Sequence, residues 1–459
     1  MASWNELLSL IGSTQFEIVM TAYNLHNLPF KIGPMSRHEI KQLIIQIRQV
    51  NAFRKECLAG LSQGIAAKSG FAIGLNKHGL LKSPKGLMSA VFHASRSMKQ
   101  AKKPTLERCQ EVAATLKLDE PIKETVCVYA KAKKSGGHRP IVVFGLRHRT
   151  AQAAVNAVLG AYHHPRPFQL TSRGVPKAIK TAQEAIVSGL TYAAEVDICD
   201  FFGSFTLEKL ATELPLPKGV VEHAVVGRHI EHEAYPGRGP HGHHTLPTHS
   251  ELIEQARLGI PQGSACSSLV AAYCVARLDW PSASDVVLLN YADNFFLFAP
   301  SQVRLEEAIE ALTNAVSKLP GGTFKSEVKQ KTSITKPFVM LGHEFHINND
   351  ELTTNVSEAN GINFVSELLK IEETLSYLIY NLKYPHQKEK ALKLLARFYA
   401  FGLGWLNYFH QCNNIGFYKN EWCASLIEHA YHAELTLDEI TEAVEPYMLF
   451  EPEDYAFSI

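Results

Sequence analysis

The sequence predicts an α+β protein in which helical segments flank a mixed α/β middle, and three observations carry that reading. Near the front, Ile40, Leu43, Ile44, Ile47 and Val50 recur at helical spacing, with Lys41 and Arg48 on the flanks. In the middle, short β-rich runs such as Val126-Cys-Val-Tyr-Ala and Ile141-Val-Val-Phe are bounded by turn signals. From 361 to about 410 helical periodicity returns, and Leu368, Leu369, Leu375, Leu378, Ile379 and Leu382 are expected to mark one buried face.

Taken in order, residues 1–120 read as helical and basic. Lys77 to Lys103 is interrupted by Gly and Pro, which predicts helices broken by exposed loops. The pattern changes near Pro121. Ser135-Gly-Gly-His is a turn signal between the two β-rich runs, so this part reads as a hairpin with a basic tip. Thr150 to Tyr162 returns to a helical pattern. Residues 191–300 carry two apolar strands with acids at their ends, separated by a His-, Gly- and Pro-rich stretch at 222–250, and 338–347 is another short strand run. The expected divisions are 1–120, 121–190, 191–347 with the insertion at 222–250, and 361–459. A chain of 459 residues is long enough for two to four domains or subdomains.

The net charge of +1 hides a split. Residues 1–150 hold 23 Lys and Arg against 9 Asp and Glu, net +14, which leaves 23 against 36, net −13, for the rest. Residues 421–459 alone carry ten acids and no Lys or Arg. Either the basic front binds a polyanion, or the two oppositely charged halves pack together. The eight cysteines form no CxxC pair and sit mostly in apolar runs, which fits reduced thiols better than disulfides or a zinc site. Met1-Ala-Ser-Trp-Asn does not read as a signal peptide, and no window approaches eighteen uninterrupted apolar residues. A soluble, cytoplasmic protein with no membrane partner is the expectation.

Four pieces carry chemistry. In Glu195-Val-Asp-Ile-Cys-Asp-Phe-Phe, Asp197 ends an apolar strand, where a charge is costly unless paired or bound to a cation, and Asp200 follows at a turn. A helix N-cap is the plain alternative. In Leu288-Leu-Asn-Tyr-Ala-Asp-Asn-Phe-Phe-Leu-Phe, two apolar runs flank a polar tip, which reads as a hairpin. Asp197 and Asp293 at adjacent strand ends would together suit Mg²⁺, which takes one or two carboxylates plus substrate phosphates. Leu258-Gly-Ile-Pro-Gln-Gly-Ser is a turn-rich loop entering a small-residue helix. Lys133-Lys134-Ser-Gly-Gly-His-Arg139 supplies cations on a flexible turn, either a triphosphate clamp or a solvated basic hairpin.

In this order the pieces resemble the palm and fingers of a reverse transcriptase, over about 125–347. Asp197-Ile-Cys-Asp-Phe-Phe is similar to motif A, Gly259-Ile-Pro-Gln-Gly-Ser to motif B, and Tyr291-Ala-Asp-Asn to the Tyr-x-Asp-Asp box of motif C. Lys331-Thr332 is similar to the end of motif D, and Phe338-Val-Met-Leu-Gly-His-Glu-Phe to the primer grip of motif E. The wording is nearest to bacterial group II intron, retron and defence-associated enzymes. The resemblance implies a right-hand polymerase fold: fingers at 121–190 with a basic helical extension before them, palm at 191–347, and a helical thumb with an acidic tail at 361–459.

The resemblance also implies roles. Asp197 and Asp293 would be metal-binding carboxylates, with Asn294 standing where the motif normally has a second Asp. Asn keeps a carbonyl oxygen for Mg²⁺ but removes one negative charge, so weaker metal binding and a preference for Mn²⁺ are expected. Asp200 would lie by the triphosphate and Phe202 would be a steric gate against a ribose 2′-hydroxyl. Gln262 and Gly263 would line the nucleotide pocket. Arg139 with Lys133 or Lys134 would contact phosphates, and Lys331 would be a proton donor to pyrophosphate. The implied partners are dNTPs, an RNA template or noncoding RNA, a DNA product, and a companion protein or second copy. The alternative is a catalytically dead polymerase fold kept as a nucleic-acid-binding scaffold.

Around this core, His223, His229, His232, His241, His243, His244 and His249 invite a metal reading, but flanking Gly and Pro and the lack of paired Cys favour an exposed insertion. Lys388, Lys390, Lys393 and Arg397 either track a duplex backbone or form a solvated helix face. Phe398, Tyr399, Phe401, Trp405, Tyr408 and Phe409 read as core. No integrase, nuclease or protease module is recognisable, which by analogy suggests a domesticated enzyme of anti-phage defence. Tyr455, a candidate protein primer, reads more simply as an incidental terminal residue.

Overall fold

The computed structural model describes residues 28–31, 36–98, 102–133, 136–235, 247–281, 285–380 and 385–448. Lys134, His241, His243, His244, Leu382 and Tyr455 lie outside the described residues, as does 449–459 of the acidic tail. Among the described residues no helix is long and apolar enough to cross a membrane.

The chain is α+β. It opens with helices α1 (Arg37–Ala66), α2 (Gly70–Leu81), α3 (Pro84–Arg96) and α4 (Leu106–Thr115). Strands β1 (Val126–Ala132) and β2 (His138–Val143) follow, then α5 (Leu146–Tyr162), α6 (Val175–Val187), β3 (Tyr192–Ile198) and α7 (Leu207–Glu213). Next come β4 (His232–Tyr235), α8 (His249–Ala256), α9 (Ser267–Val275), β5 (Val287–Tyr291), β6 (Asn294–Ala299) and α10 (Gln302–Ser317). Strands β7 (Ser326–Ser333), β8 (Phe338–Met340), β9 (His343–Asn348) and β10 (Glu351–Val356) lead to α11 (Glu358–Tyr380), α12 (Pro385–Tyr408), α13 (Ile415–His432) and α14 (Leu437–Met448).

One compact unit comprises Met1–Pro165, Cys199–Asp279 and Val316–Lys325. A capping box starts α1: the Glu39 amide donates to the Ser36 hydroxyl and the Ser36 amide to the Glu39 carboxylate. Ile40 and Leu43 turn inward as their spacing predicts. The predicted break falls at Lys82 and Ser83, where Ser83 caps α3 and Pro84 occupies its first turn, a position where a missing N–H costs nothing. The Gly/Ala-rich faces of α3 and α5 pack together.

The sheet of this unit has the order β2-β1-β4. Strands β1 and β2 form the expected antiparallel hairpin, closed at Ala132 opposite His138, and both glycines of the turn sit at positive φ (Gly136 89°, Gly137 74°). Strand β4 runs parallel to β1, from Val126 opposite His232 to Tyr129 opposite Tyr235. Val126, Val128 and Val142 point inward onto Leu252 and Ala256 of α8. The stretch read as a flexible insertion at 222–250 thus supplies a sheet strand. In its sequence His-Glu-Ala-Tyr only Tyr235 favours a strand, so β4 owes its form chiefly to pairing with β1.

The second unit comprises Arg166–Ile198, Trp280–Ala315 and Ser326–Ile459. Its antiparallel sheet has the order β5-β6-β3-β7, and Phe295 through Ala299 of the interior strand β6 are all buried. One face of this sheet packs Ala193, Phe296 and Phe298 against α6 and against Phe338, Met340 and Phe345 of a second sheet, β8-β9-β10. The C-terminal helices share a core around Phe364, Leu368, Leu375, Phe398 and Trp422, with the ring of Phe364 stacked 4.0 Å from that of Trp405. Leu369 does not belong to the buried face assigned to it. It is 59% exposed, because the neighbour of Leu368 is turned about 100° away around the helix. Lys388, Lys390, Lys393 and Arg397 are exposed on α12; Lys388 donates to the Glu434 carbonyl and Lys393 pairs with Glu389.

His343 is fully buried on β9, its ring 4.8 Å from that of Phe409 and its Nδ1 against the Leu341 carbonyl. Burial pushes its pKa down from 6.5 to about 4. Between those values the unfolded chain binds a proton that the folded chain refuses, so this residue costs stability as pH falls from 6.5 towards 4. Glu195 and Asp197, held up by burial, act in the opposite sense. The difference between wild type and His343→Phe therefore isolates the histidine. In urea titrations the variant should gain about 3 kcal/mol on wild type between pH 7.5 and 4. Tyr408 also donates to the Leu341 carbonyl, so the substitution leaves that oxygen a partner.

Candidate active site

In the second unit the two acids come together through strand register. Asp197, at the end of β3, lies opposite Asn294, the first residue of β6, and the Ile198 amide donates to the Asp293 carbonyl at 3.2 Å. Asp293 is the second residue of the two-residue turn Ala292-Asp293 that joins β5 to β6. Ala292 adopts φ 55°, a left-handed conformation unfavourable for any side chain. Asn290 holds that turn in place. It is 2% exposed, and its amide donates to the carbonyls of both Ala292 (3.0 Å) and Asn294 (3.1 Å). The Ala292 amide is held in turn by Thr171 Oγ1. Asn294 points its own amide at Asp293 Oδ1, 3.3 Å away.

Two more charged residues join the pair. Glu195 precedes Asp197 by two and so shares its face of β3. Lys329 is the extra residue of a β-bulge: Gln330 pairs with Glu195 and Val328 with Val196, leaving Lys329 without an opposite number. Its Nζ stands 3.5 Å from Asp197 Oδ2 and also pairs with Glu327. Burial, then the charge of Asp197, pushes the Glu195 carboxyl up to about 7, against the pull of Lys329. Burial, then Asp293, likewise raises Asp197. This corner carries more negative charge than it can comfortably keep, and a cation relieves it. Lys331 is elsewhere. It lies opposite Ala194, on the face away from Asp197, and pairs with Glu306 of α10 at 2.9 Å.

Among the described residues no group of three or more His, Cys, Asp and Glu side chains is set to hold a metal by itself. Two adjacent carboxylates with amide and main-chain oxygens nearby are the hard-oxygen donor set that Mg²⁺ or Mn²⁺ accepts when substrate phosphates complete the shell. The residues fit the implied ions. The described part of the His-rich stretch offers less: the His223 and His229 rings are 6.1 Å apart and His229 pairs with Glu222. His232 is a strand residue whose burial pushes it down to about 4.

In the first unit three separate stretches meet at a cavity of about 250 Å³ lined by Lys133, His138, Asp200, Phe202, Gln255 and Gln262, among others. Main-chain bonds join them. The Ile260 amide donates to the Phe202 carbonyl (3.0 Å), and the Val142 amide of β2 to the Gln262 carbonyl (2.8 Å). Glycine is required at both joints. A Cβ on Gly259 (φ 57°) would stand 1.9 Å from the Phe202 oxygen, and one on Gly263 (φ 104°) 2.3 Å from the Val142 oxygen. Asp200 turns the chain at φ 43° and its carbonyl accepts from the Ser204 amide. Arg139 is not on the cavity side. It alternates with His138 and Pro140, pairs across the hairpin with Lys131, and is exposed on the opposite face.

Lys329, Glu195 and Asn290 were not among the residues singled out from the sequence. Glu195 and Asn290 had a signal, each being a polar residue inside an otherwise apolar strand run. Lys329 had none, because the bulge that turns it towards Asp197 is a property of pairing.

Residues 131–345 match the family described as "Reverse transcriptase (RNA-dependent DNA polymerase)". No curated protein matches the chain. Similar solved structures include apo telomerase from Candida tropicalis truncated from the C-terminal domain, at 12% identity and TM-score 0.31 over 51% of this chain and 56% of that one. They also include the Sicinivirus 3Dpol RNA-dependent RNA polymerase, at 11% identity and TM-score 0.32 over 74% and 71%. The bacteriophage phi12 RNA-dependent RNA polymerase is similar at 14% identity and TM-score 0.31 over 69% and 48%. TM-scores this low assign no residue a role. The fold is of the right-hand polymerase class, and the reverse transcriptase match covers residues 131–345.

Proposed function

We propose that this chain is a DNA polymerase of the reverse transcriptase type, joining dNTPs on an RNA template or without one by two-metal nucleotidyl transfer. The observation that carries this is the register of β3 and β6, which brings Asp197 and Asp293 together beside Asn294. Asp197, Asp293 and the Asn294 carbonyl oxygen would hold Mg²⁺ or Mn²⁺. When bound, these ions activate the primer 3′-hydroxyl and stabilise the leaving pyrophosphate. Phe202 restricts the sugar, Gln262 and Asp200 face the nucleotide, and Lys133 meets phosphate. Lys329, rather than Lys331, is the ammonium that balances Asp197. A bacterial origin is proposed on the Asp-Phe-Phe and Pro-Gln-Gly-Ser wording, and a role in anti-phage defence by analogy with domesticated enzymes.

A scaffold without catalysis is the second reading, and Asn294 in place of an acid favours it. Incorporation of labelled dNTPs on a primed RNA template, with Mg²⁺ and with Mn²⁺, separates the two. We expect incorporation by wild type, stronger in Mn²⁺, and loss to background in Asp293→Ala. Equal inertness of both proteins with every metal and template establishes the scaffold.

A further inference from the structure

We infer that the outward face of the β2-β1-β4 sheet binds single-stranded nucleic acid by base stacking on Tyr129 and Tyr235. The choice of ligand rests in part on the polymerase reading, but the surface is distinct from the nucleotide cavity. His138, Pro140 and Val142 belong to one face of the hairpin and Tyr129, Lys131, Arg139 and Ile141 to the other, by the alternation of β-strands and the register of the pair. The cavity is lined from the first face.

On the second face Tyr129 and Tyr235 lie directly opposite each other on neighbouring parallel strands. Their rings are stacked, centroids 5.3 Å apart and planes within 18°, yet they remain 45% and 39% exposed. Two large aromatic side chains held parallel in solvent offer a surface on which a further flat ring can be laid. The free energy of base–aromatic stacking is largely independent of which base is laid there. Val143, half-exposed at the end of β2, continues the apolar surface.

Charge selects the occupant. Lys131 and Arg139 are cross-strand partners on this face, both exposed, and Lys131 stands about 7 Å along the strand from Tyr129. That places cations beside the stacking surface where a phosphate backbone would run. The one acid on the face, Glu233, is engaged with the Tyr235 hydroxyl at the far end from the cations. Aromatic rings next to cations on an exposed sheet match a single strand, whose bases are free to leave their own stack, and not a closed duplex.

The test uses the full chain and fluorescein-labelled uridine and thymidine dodecamers, read by fluorescence anisotropy. Tyr129→Ala with Tyr235→Ala should weaken binding at least about tenfold, as expected for the loss of stacked bases. The double Phe variant should bind within about twofold of wild type, since stacking needs the ring and not the hydroxyl. Lys131→Glu should weaken binding and flatten its dependence on salt. Asp293→Ala should bind like wild type, so that failed catalysis and failed binding are told apart. In case the double Ala variant does not fold, 4-thiouridine crosslinking to wild type should give adducts on the peptides holding Tyr129 or Tyr235. Unchanged affinity in a folded double Ala variant, or adducts confined to other peptides, overturns the inference. A platform built for a protein partner would produce that result.

Discussion

Asp197→Asn is expected to reduce nucleotide incorporation about 10³-fold or more while raising the midpoint of thermal unfolding. The first half follows from the proposed metal ligation, because removing a ligand that stabilises developing charge costs several kcal/mol and each 1.4 kcal/mol is tenfold in rate. The second half follows from the crowding of Glu195, Asp197 and Asp293, where burial and mutual repulsion hold carboxyls above their ordinary range. An amide of the same shape removes one charge from that corner, and Lys329 keeps Glu327 as its partner. Calorimetry and single-turnover kinetics on the same preparations check both halves. A variant that loses activity and stability together would show Asp197 to be a packing residue, against the assigned role.

Phe202→Ala is expected to lower the preference for dNTP over NTP by about 10²-fold, the size of discrimination a site can obtain from a steric contact. Phe202 is one of the residues lining the cavity, and its main chain is fixed by the hydrogen bond from Ile260. Truncation thus enlarges the cavity without releasing the loop. Competition between dGTP and GTP on one primed template measures it. The decrease should come from improved NTP use and not from weaker dNTP use, since the Gln262 and Lys133 side of the cavity is untouched.

Much of this architecture was legible because local patterns and tertiary needs agree. The β1–β2 hairpin could be read from Ser135-Gly-Gly-His, whose glycines do take positive φ, and the interior strand β6 from its run of Phe and Leu. Asp197 and Asp293 stood out because an acid at the end of an apolar strand needs an explanation. What was not legible depends on pairing. Strand β4 has a single strand-favouring residue, Tyr235, Leu369 carries the same side chain as its buried neighbour, and the distinction between Lys329 and Lys331 is made by one unpaired residue in β7. Periodicity reports which residues alternate. It does not report where the alternation slips.

Strand β4 has a consequence for the solubility of the chain. Because it pairs along β1, the stretch between the two motif-bearing strands is no dispensable loop. Excision of 228–250 would strip one side of β1 and leave the run Val126-Cys-Val-Tyr-Ala with its amides and carbonyls open to any other strand. An uncovered apolar edge of that kind templates intermolecular sheet. The four residues His232–Tyr235 thus act as a guard against self-association, and a shortened chain would be lost to aggregates before any question of catalysis arose.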